Sequence, residues 1–312
     1  MRKPTKPPAL FPGCKVIVVS PASPADPARL ERGCHELIRL GYKPRLETSG
    51  TDPVGYFSGS IDNRRTELVE ALQVEDGGAA FCARGGYGSN YLLDVLDLRR
   101  LSRPRILLGY SDITSLEILL WQKLGWVTFY GPMVAAGFDA GADVAGGYDA
   151  QSFSRAMTQA ESGWMLDLRG ASFNAGVAEG VLLGGCMTLV ETSLGTPWEL
   201  DTSGAILLLE DRGMKPYQVD RALMHLKQAG KLKNVRGIIL GEFPESEPPI
   251  AGGPTVREVC QRILGELGVP LVWGAPVGHT SRPVLTLPLG VRARLRASGA
   301  GQLEILEPAV TP

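Results

Sequence analysis

The sequence predicts an α/β fold with a parallel sheet in its first half, and three observations carry that prediction. Short apolar runs such as Val16-Ile17-Val18-Val19 and Ile106-Leu107-Leu108 recur without polar alternation, as strands buried on both faces do. Between them lie stretches with apolar residues at helical spacing, the alternation that builds crossover-connected parallel sheets. Two glycine-containing turns, Arg84-Gly85-Gly86-Tyr87-Gly88 and Gly109-Tyr110-Ser111-Asp112, come directly after apolar runs, at the strand ends where such sheets bind ligands.

In order, Lys15–Ser20 reads as a strand, and Asp26–Leu40 as a helix with Leu30, Leu37 and Leu40 on one face and Gly41 ending it. Lys43–Glu47 is a second strand, Asp62–Val74 a second helix with Leu68, Val69 and Leu72 inward, and Ala79–Ala83 a third strand. Tyr91–Leu98 is expected as a short helix, Ile106–Gly109 as a strand, Thr114–Leu124 as its helix and Val127–Tyr130 as a fifth strand. From Gly137 to Gly176 the texture becomes glycine-rich and linker-like around one helix, Gln151–Thr158.

The second half alternates again. Val181–Gly185 is a strand running into a helix at Met187–Leu194, and Ala205–Leu209 a strand followed at once by Glu210-Asp211-Arg212. Tyr217–Gln228 is a helix, Gly237–Leu240 a strand, Thr255–Leu267 a helix and Leu271–Trp273 a strand. Leu285–Leu289, Val291–Leu295 and Leu303–Leu306 alternate tightly, which predicts a β-rich closing element. A chain of 312 residues is long for one core. The expected division is an N-terminal domain over 1–137, a linker over 138–176 and a C-terminal domain over 177–312.

Composition narrows the function. A net charge of -1, with 32 basic and 33 acidic residues, offers no excess of cations for a phosphate backbone or an anionic membrane surface, so neither nucleic acid nor membrane is an expected partner. The basic start Met1-Arg2-Lys3 is followed by an apolar run too short for a signal peptide. Five scattered cysteines in apolar contexts, Cys14, Cys34, Cys82, Cys186 and Cys260, lack metal-type spacing and read as reduced thiols of a cytoplasmic protein. Neither the dinucleotide fingerprint nor a Walker A pattern occurs, so no nucleotide cofactor is expected; nucleophilic chemistry by side chains alone would need no metal or other cofactor.

Three residues could carry nucleophilic chemistry together. Ser111 stands on a strand-to-helix turn, which lifts a hydroxyl off the sheet edge beside free N–H groups. Ser and Asp before a helix are also ordinary caps, and Ile113 stands where the G-x-S-x-G pattern has its last glycine. Of the three histidines, His35 and His225 fall within amphipathic helices, whereas His279 lies on a loop after an apolar strand. Glu210 ends the run Ile206–Leu209, where a carboxylate can orient an imidazole; by position alone Asp211 serves equally. Nucleophile, base and orienting acid are thus available at three expected strand ends.

The blocks Ala83-Arg84-Gly85-Gly86-Tyr87-Gly88-Ser89, Gly109-Tyr110-Ser111-Asp112-Ile113-Thr114, Gly131-Pro132-Met133, Leu209-Glu210-Asp211, Tyr217-Gln218-Val219-Asp220-Arg221 and Gly278-His279 are collinear. Together they resemble the signature of the LD-carboxypeptidases, serine peptidases whose relatives include microcin C self-immunity proteins. The resemblance implies a Rossmann-like or flavodoxin-like N-terminal domain, a linker and a C-terminal mixed α/β domain. It implies a Ser-His-Glu triad of Ser111, His279 and Glu210, with the serine on one domain and its partners on the other. The implied oxyanion donors are the N–H of Asp112 and one N–H of the turn at Gly85 and Gly86.

The implied activity is removal of the terminal D-alanine from cytoplasmic murein tetrapeptide, without a cofactor. A substrate carboxylate calls for a cation; Arg84 is the first candidate and Arg221 the second, although each could instead be a structural partner of Asp112 or Glu210. Two departures from the family pattern, Tyr130 where many members carry His and Cys186 where Asn is common, bear on the pocket rather than the triad. The alternatives are a microcin-type amide hydrolase, which an aromatic residue stacking on adenine would favour although the sequence does not place Trp198 or Trp273, and a non-catalytic small-molecule binding protein. A homodimer is expected from family analogy only.

Overall fold

The computed structural model describes residues 3–46, 53–73 and 78–312. In chain order its elements begin β1 (Lys15–Val19), α1 (Pro27–Arg39), β2 (Lys43–Leu46), α2 (Ile61–Ala71), β3 (Ala79–Cys82), β4 (Ile106–Gly109), α3 (Thr114–Leu124), β5 (Thr128–Tyr130) and α4 (Ala150–Thr158). They continue with β6 (Trp164–Asp167), β7 (Ala171–Asn174), β8 (Gly176–Cys186), α5 (Met187–Thr192), β9 (Ala205–Glu210), α6 (Pro216–Gln228) and β10 (Gly237–Gly241). Last come α7 (Val256–Gly265), β11 (Leu271–Ala275), β12 (Leu287–Leu289), β13 (Arg292–Ala297) and β14 (Gln302–Ile305).

The chain forms two compact units, one of residues 1–160, 281–290 and 308–312, the other of 161–280 and 291–307. Among the described residues the first holds a six-stranded sheet in the order β12-β5-β4-β3-β1-β2. All its pairings are parallel except that of β12 with β5. The second holds an eight-stranded sheet in the order β6-β14-β13-β8-β9-β10-β11-β7. Its middle, β8 to β11, is parallel, and β7, β13, β14 and β6 flank it antiparallel.

The predicted α/β class is thus observed in both units, and the local chemistry explains it. Val16 to Val19 of β1 are at most 2% exposed, and burying side chains of that size contributes roughly 1.5–3 kcal/mol each. Asp26 caps α1 through the N–H of Arg29, with Pro27 at the first turn. Thr255 and Glu258 form a reciprocal capping box on α7.

Several expectations change. The helix expected over Tyr91–Leu98 is absent; two short 3-10 turns, Ser89–Leu92 and Leu98–Arg100, stand there instead. Asp97 accepts from the N–H of Arg99, starting a new turn where a helix would have to continue. Glu47 and Val74, the expected ends of a strand and a helix, lie outside the described residues. The β-rich tail is not one closing element: β12 joins the first sheet, whereas β13 and β14 join the second. Strands β6 and β7 occupy part of the stretch read as linker, and 138–160 and 161–176 fall in different units. The glycine-rich texture there reflects tight turns, such as Gly141 and Gly146 at positive φ, rather than a free tether.

Among the described residues no helix is long and apolar enough to cross a membrane. Of the five free cysteines, Cys34 alone is not buried.

Glu117 sits against this logic. It lies on α3, 1% exposed, and neither carboxyl oxygen has a hydrogen-bond partner among the described residues. Burial pushes its pKa well above the ordinary carboxylate value. Because the folded form binds the proton more tightly, this residue's contribution to stability is greatest below the unfolded pKa and is lost as pH rises toward the folded one. Glu117→Leu is therefore expected to stabilise the protein at pH 7 by about 1–3 kcal/mol, with a smaller gain at pH 4, as read by urea unfolding at the two pH values.

Candidate active site

In the first unit the site residues sit at the carboxyl ends of the adjacent strands β3 and β4. The chain leaves β4 at Gly109 and turns into α3 through a 3-10 turn at Ser111–Ile113. Ser111 takes φ +65°, a left-handed conformation that costs a non-glycine residue about 1–2 kcal/mol. Such a sharp elbow presents a hydroxyl at the sheet edge. It is built without the last glycine of the usual pattern because Gly109 supplies the space. A Cβ on Gly109 would stand 2.9 Å from Ile113 Cγ1, so the Ile113 side chain folds back over it. No side-chain cap is made at the start of this helix, so Ser111 and Asp112 are not serving as the caps their residue types suggest.

The elbow is held from three sides. The Ser111 N–H donates to Tyr130 Oη at 3.3 Å, and Tyr130 is fully buried on β5. The Asp112 carboxylate accepts from the Ser89 N–H at 2.7 Å, and the Ser89 hydroxyl donates back to the Asp112 carbonyl at 2.6 Å. Burial raises the Asp112 pKa, with the hydrogen bonds from Ser89 and Gly88 and the charge of Arg64 opposing it. A Cβ on Gly85 would lie 3.1 Å from Ser111 Cβ and 3.4 Å from Asp112 N. Only a residue without a side chain lets this turn approach the nucleophile so closely.

The turn itself is pinned by Ser23, whose N–H donates to Gly85 O and whose Oγ accepts from the Tyr87 N–H. Gly86 has φ +99°, and a Cβ there would meet Ser23 Oγ at 2.5 Å. Sequence reasoning missed Ser23, and quoted Ser89 only as the last residue of a block, with no role. Ser23 could have been found from its place just beyond β1, at the same sheet end.

In the second unit, β9 delivers Glu210 and the loop after β11 delivers His279. Glu210 Oε2 accepts from His279 Nδ1 at 2.9 Å and from the His279 backbone N–H at 2.9 Å, so one carboxylate fixes both ring and loop. The Glu210 side chain is fully buried and that of His279 is 15% exposed. Burial works against a charged imidazole, but the charge and hydrogen bond of Glu210, with a further contribution from Asp211, outweigh it and raise the His279 pKa above 6.5.

The two adjacent acids have different partners. Asp211 Oδ2 accepts from the N–H and hydroxyl of Thr188 at 2.8 and 2.7 Å, and Oδ1 from the Arg212 N–H. It ties β9 to the start of α5 and leaves Glu210 to the imidazole. Cys186 is buried beside Asp211, its Sγ 3.4 Å from Oδ2, and burial pushes the thiol pKa well up. His225 is exposed and pairs with Glu191.

Glycines make the slot for Glu210. A Cβ on Gly241 would stand 2.5 Å from Glu210 Cβ, and one on Gly278, at φ +61°, would stand 2.5 Å from Glu210 Oε1. Gly278→Ala therefore collides with the buried carboxylate while adopting a strained backbone. It is expected to cost about 2–4 kcal/mol and to uncouple His279, measured by urea unfolding and by the His279 titration in NMR.

The predicted cations are placed less tellingly. Arg84 is exposed and its guanidinium donates to Pro24 O at 3.0 Å, and Arg221 is exposed on α6. Trp273 lies nearly parallel to Phe173 and Phe243, ring centres 5.8 and 5.6 Å away, packed in an aromatic row of the second unit. Among the described residues no group of His, Cys, Asp or Glu could hold a metal ion.

This arrangement offers a strained hydroxyl beside backbone donors, and an imidazole backed by a buried carboxylate. Comparison with known proteins is consistent with such chemistry. Residues 16–131 match the family described as the LD-carboxypeptidase N-terminal domain, and 179–295 the LD-carboxypeptidase C-terminal domain. A Bacillus subtilis (strain 168) protein named "probable murein peptide carboxypeptidase" is 34% identical over 296 residues, covering 94% of this chain and 92% of its own. The muramoyltetrapeptide carboxypeptidase of Oxalobacter formigenes superposes with a TM-score of 0.82 at 30% identity, over 96% of this chain and 100% of its own. The microcin C7 self-immunity protein in complex with aspartyl sulfamoyl adenosine gives 0.87 at 26% identity, over 99% and 100%.

Proposed function

Given that the chain belongs to the LD-carboxypeptidase family, serine-type carboxypeptidases and so hydrolases, we propose that it removes the terminal D-alanine from murein tetrapeptide in the cytoplasm. The observation that carries the reading is the Glu210-His279 pair with its 2.9 Å bond in the second unit; the first unit, for its part, holds a serine at positive φ on a strand-to-helix elbow. A serine and an imidazole with an orienting carboxylate are what acyl transfer to a hydroxyl requires.

In this mechanism His279 takes the Ser111 proton as Oγ attacks the carbonyl that precedes D-alanine. The Glu210 carboxylate holds the Nδ1–H tautomer, leaving Nε2 to accept the proton, and stabilises the imidazolium as it forms. Charge developing on the carbonyl oxygen is met by the N–H of Asp112 and by one N–H of the Gly85-Gly86 turn, an oxyanion hole of backbone donors. The Ser111 N–H is already engaged by Tyr130, so Tyr130 positions the elbow in this scheme rather than binding substrate. His279 then protonates the leaving amine, and water attacks the acyl-enzyme by the same route. Arg84 remains the proposed partner of the substrate's free carboxylate, because it is exposed on the turn that supplies the oxyanion donors; Arg221 stands second.

The test is incubation of the purified protein with murein tetrapeptide and, separately, with aspartyl sulfamoyl adenosine, products being identified by mass spectrometry. Release of D-alanine from the tetrapeptide is the expected result. Cleavage of the sulfamoyl adenosine alone would replace this reading with that of a microcin-type amide hydrolase, and cleavage of neither would favour a binding protein.

A further inference from the structure

The turn Arg84-Gly85-Gly86-Tyr87-Gly88 contains three glycines, the residue with the widest backbone freedom. A donor aimed at a developing oxyanion must nevertheless be held in place before the reaction begins. The shape of the turn is therefore set from outside, and the contact that sets it is the segment after β1, residues 20–24.

Ser23, 9% exposed, meets the turn twice. Its N–H donates to the Gly85 carbonyl at 3.2 Å, and its Oγ accepts from the Tyr87 N–H at 3.1 Å. These two bonds hold the peptide groups on both sides of Gly86. The described peptides are all trans, so the carbonyl of Gly85 and the N–H of Gly86 lie in one plane and point in opposite directions. With that carbonyl turned to Ser23, the Gly86 N–H points away from Ser23. The same glycine pair borders the nucleophile, since a Cβ on Gly85 would stand 3.1 Å from Ser111 Cβ and 3.4 Å from Asp112 N.

The later donors of the turn are committed elsewhere. Ser89 donates its N–H to the Asp112 carboxylate at 2.7 Å, and the Gly88 N–H bonds to the same carboxylate. The Tyr87 N–H is held by Ser23. The clamp is itself anchored. Ala22 O accepts from the Ser58 N–H at 2.9 Å, and the Ser58 hydroxyl donates to Ser20 O. Arg64, 1% exposed, donates through one nitrogen to Pro21 O at 2.7 Å and to Gly88 O at 2.9 Å, so one buried cation ties the segment after β1 to the far end of the turn.

We propose that Ser23 is a positioning residue for the reaction, which aims the Gly86 N–H as the oxyanion donor of the turn by clamping the peptide groups on either side of Gly86. The proposal rests on the acyl-transfer reading above. Its consequence is kinetic. An oxyanion donor acts on charge that develops in the transition state, so loosening it lowers kcat and leaves KM nearly unchanged. Ser23→Ala keeps the backbone bond to Gly85 and removes the acceptor of the Tyr87 N–H, which frees one side of Gly86.

The experiment measures kcat and KM on murein tetrapeptide, and the rate at which a fluorophosphonate labels Ser111, in the wild type, Ser23→Ala and Ser23→Cys, with urea unfolding of each. The phosphoryl oxygen of the probe takes the oxyanion's place, so labelling reads the donor without a peptide substrate. Ser23→Ala is expected to lower kcat and the labelling rate by about 10- to 100-fold, with KM within about twofold of the wild type and a similar urea midpoint. Ser23→Cys, which fills the same space with a weaker acceptor, is expected to fall between them, and it carries the test should the alanine variant fail to fold. Unchanged kcat and labelling would overturn the proposal, as would a rise in KM alone or a loss of activity no larger than the unfolded fraction. A wild type that is labelled at Ser111 but cleaves no tetrapeptide would overturn the carboxypeptidase reading, and slower labelling of Ser23→Ala would then still support the role of Ser23. A wild type that neither reacts at Ser111 nor cleaves the tetrapeptide would overturn both.

Discussion

Ser111→Ala is expected to lower the rate of D-alanine release by about 10³- to 10⁶-fold, with unfolding free energy close to that of the wild type. The elbow does not depend on the hydroxyl: it rests on the Tyr130 bond to the Ser111 N–H and the exchange between Asp112 and Ser89, none of which involves Oγ. Ser111→Gly separates strain from chemistry. Glycine adopts φ +65° without a Cβ penalty, so this variant should be equally inactive and more stable than Ser111→Ala by up to about 1 kcal/mol. Single-turnover assays and urea unfolding on the two variants read both effects. Retained activity in either would remove Ser111 as nucleophile, and a stability loss of several kcal/mol would show that the hydroxyl is structural.

The strands of both sheets were legible because buried parallel strands are written as uninterrupted apolar runs, and Ile106–Gly109 and Ala205–Leu209 are of that kind. β6 and β7 were not, because their burial alternates or is partial and their sequences mix polar with apolar residues. The destination of Leu287–Leu289 could not be read either. A tight alternation specifies a strand but not its sheet, and β12 pairs with β5, more than 150 residues earlier. Among the candidate residues, Ser111 and His279 carried local signals, a strand-end turn and a loop after a strand. The preference for Glu210 over Asp211 carried none, since adjacent carboxylates differ only in where the strand's pleat points them. Gly241 and Gly278 held the missing clue: two small residues on neighbouring segments leave room for one buried carboxylate.

Glu210→Gln is expected to reduce kcat by about 10³- to 10⁴-fold and to move the pH profile in a stated direction. In the wild type the His279 pKa lies above 6.5, and the ring must be neutral to accept a proton. The acid limb of kcat/KM should therefore rise through a pKa above 6.5. Without the Glu210 charge, the burial that opposes the imidazolium dominates, and the limb should move toward or below 6.5. Stability reports the same linkage with the opposite sense. A raised folded pKa adds stability that is complete below about 6.5 and is lost as pH rises through the folded value. In Glu210→Gln that contribution should disappear, and a buried neutral imidazole should instead lower stability as pH falls below 6.5. Asp211→Asn provides the contrast: it releases Thr188 and weakens the start of α5, yet should move the limb less, because Asp211 contributes less to the His279 shift than Glu210 does. If Glu210→Gln left the limb where the wild type has it, the orienting role would pass from Glu210 to another group, whatever the loss in kcat.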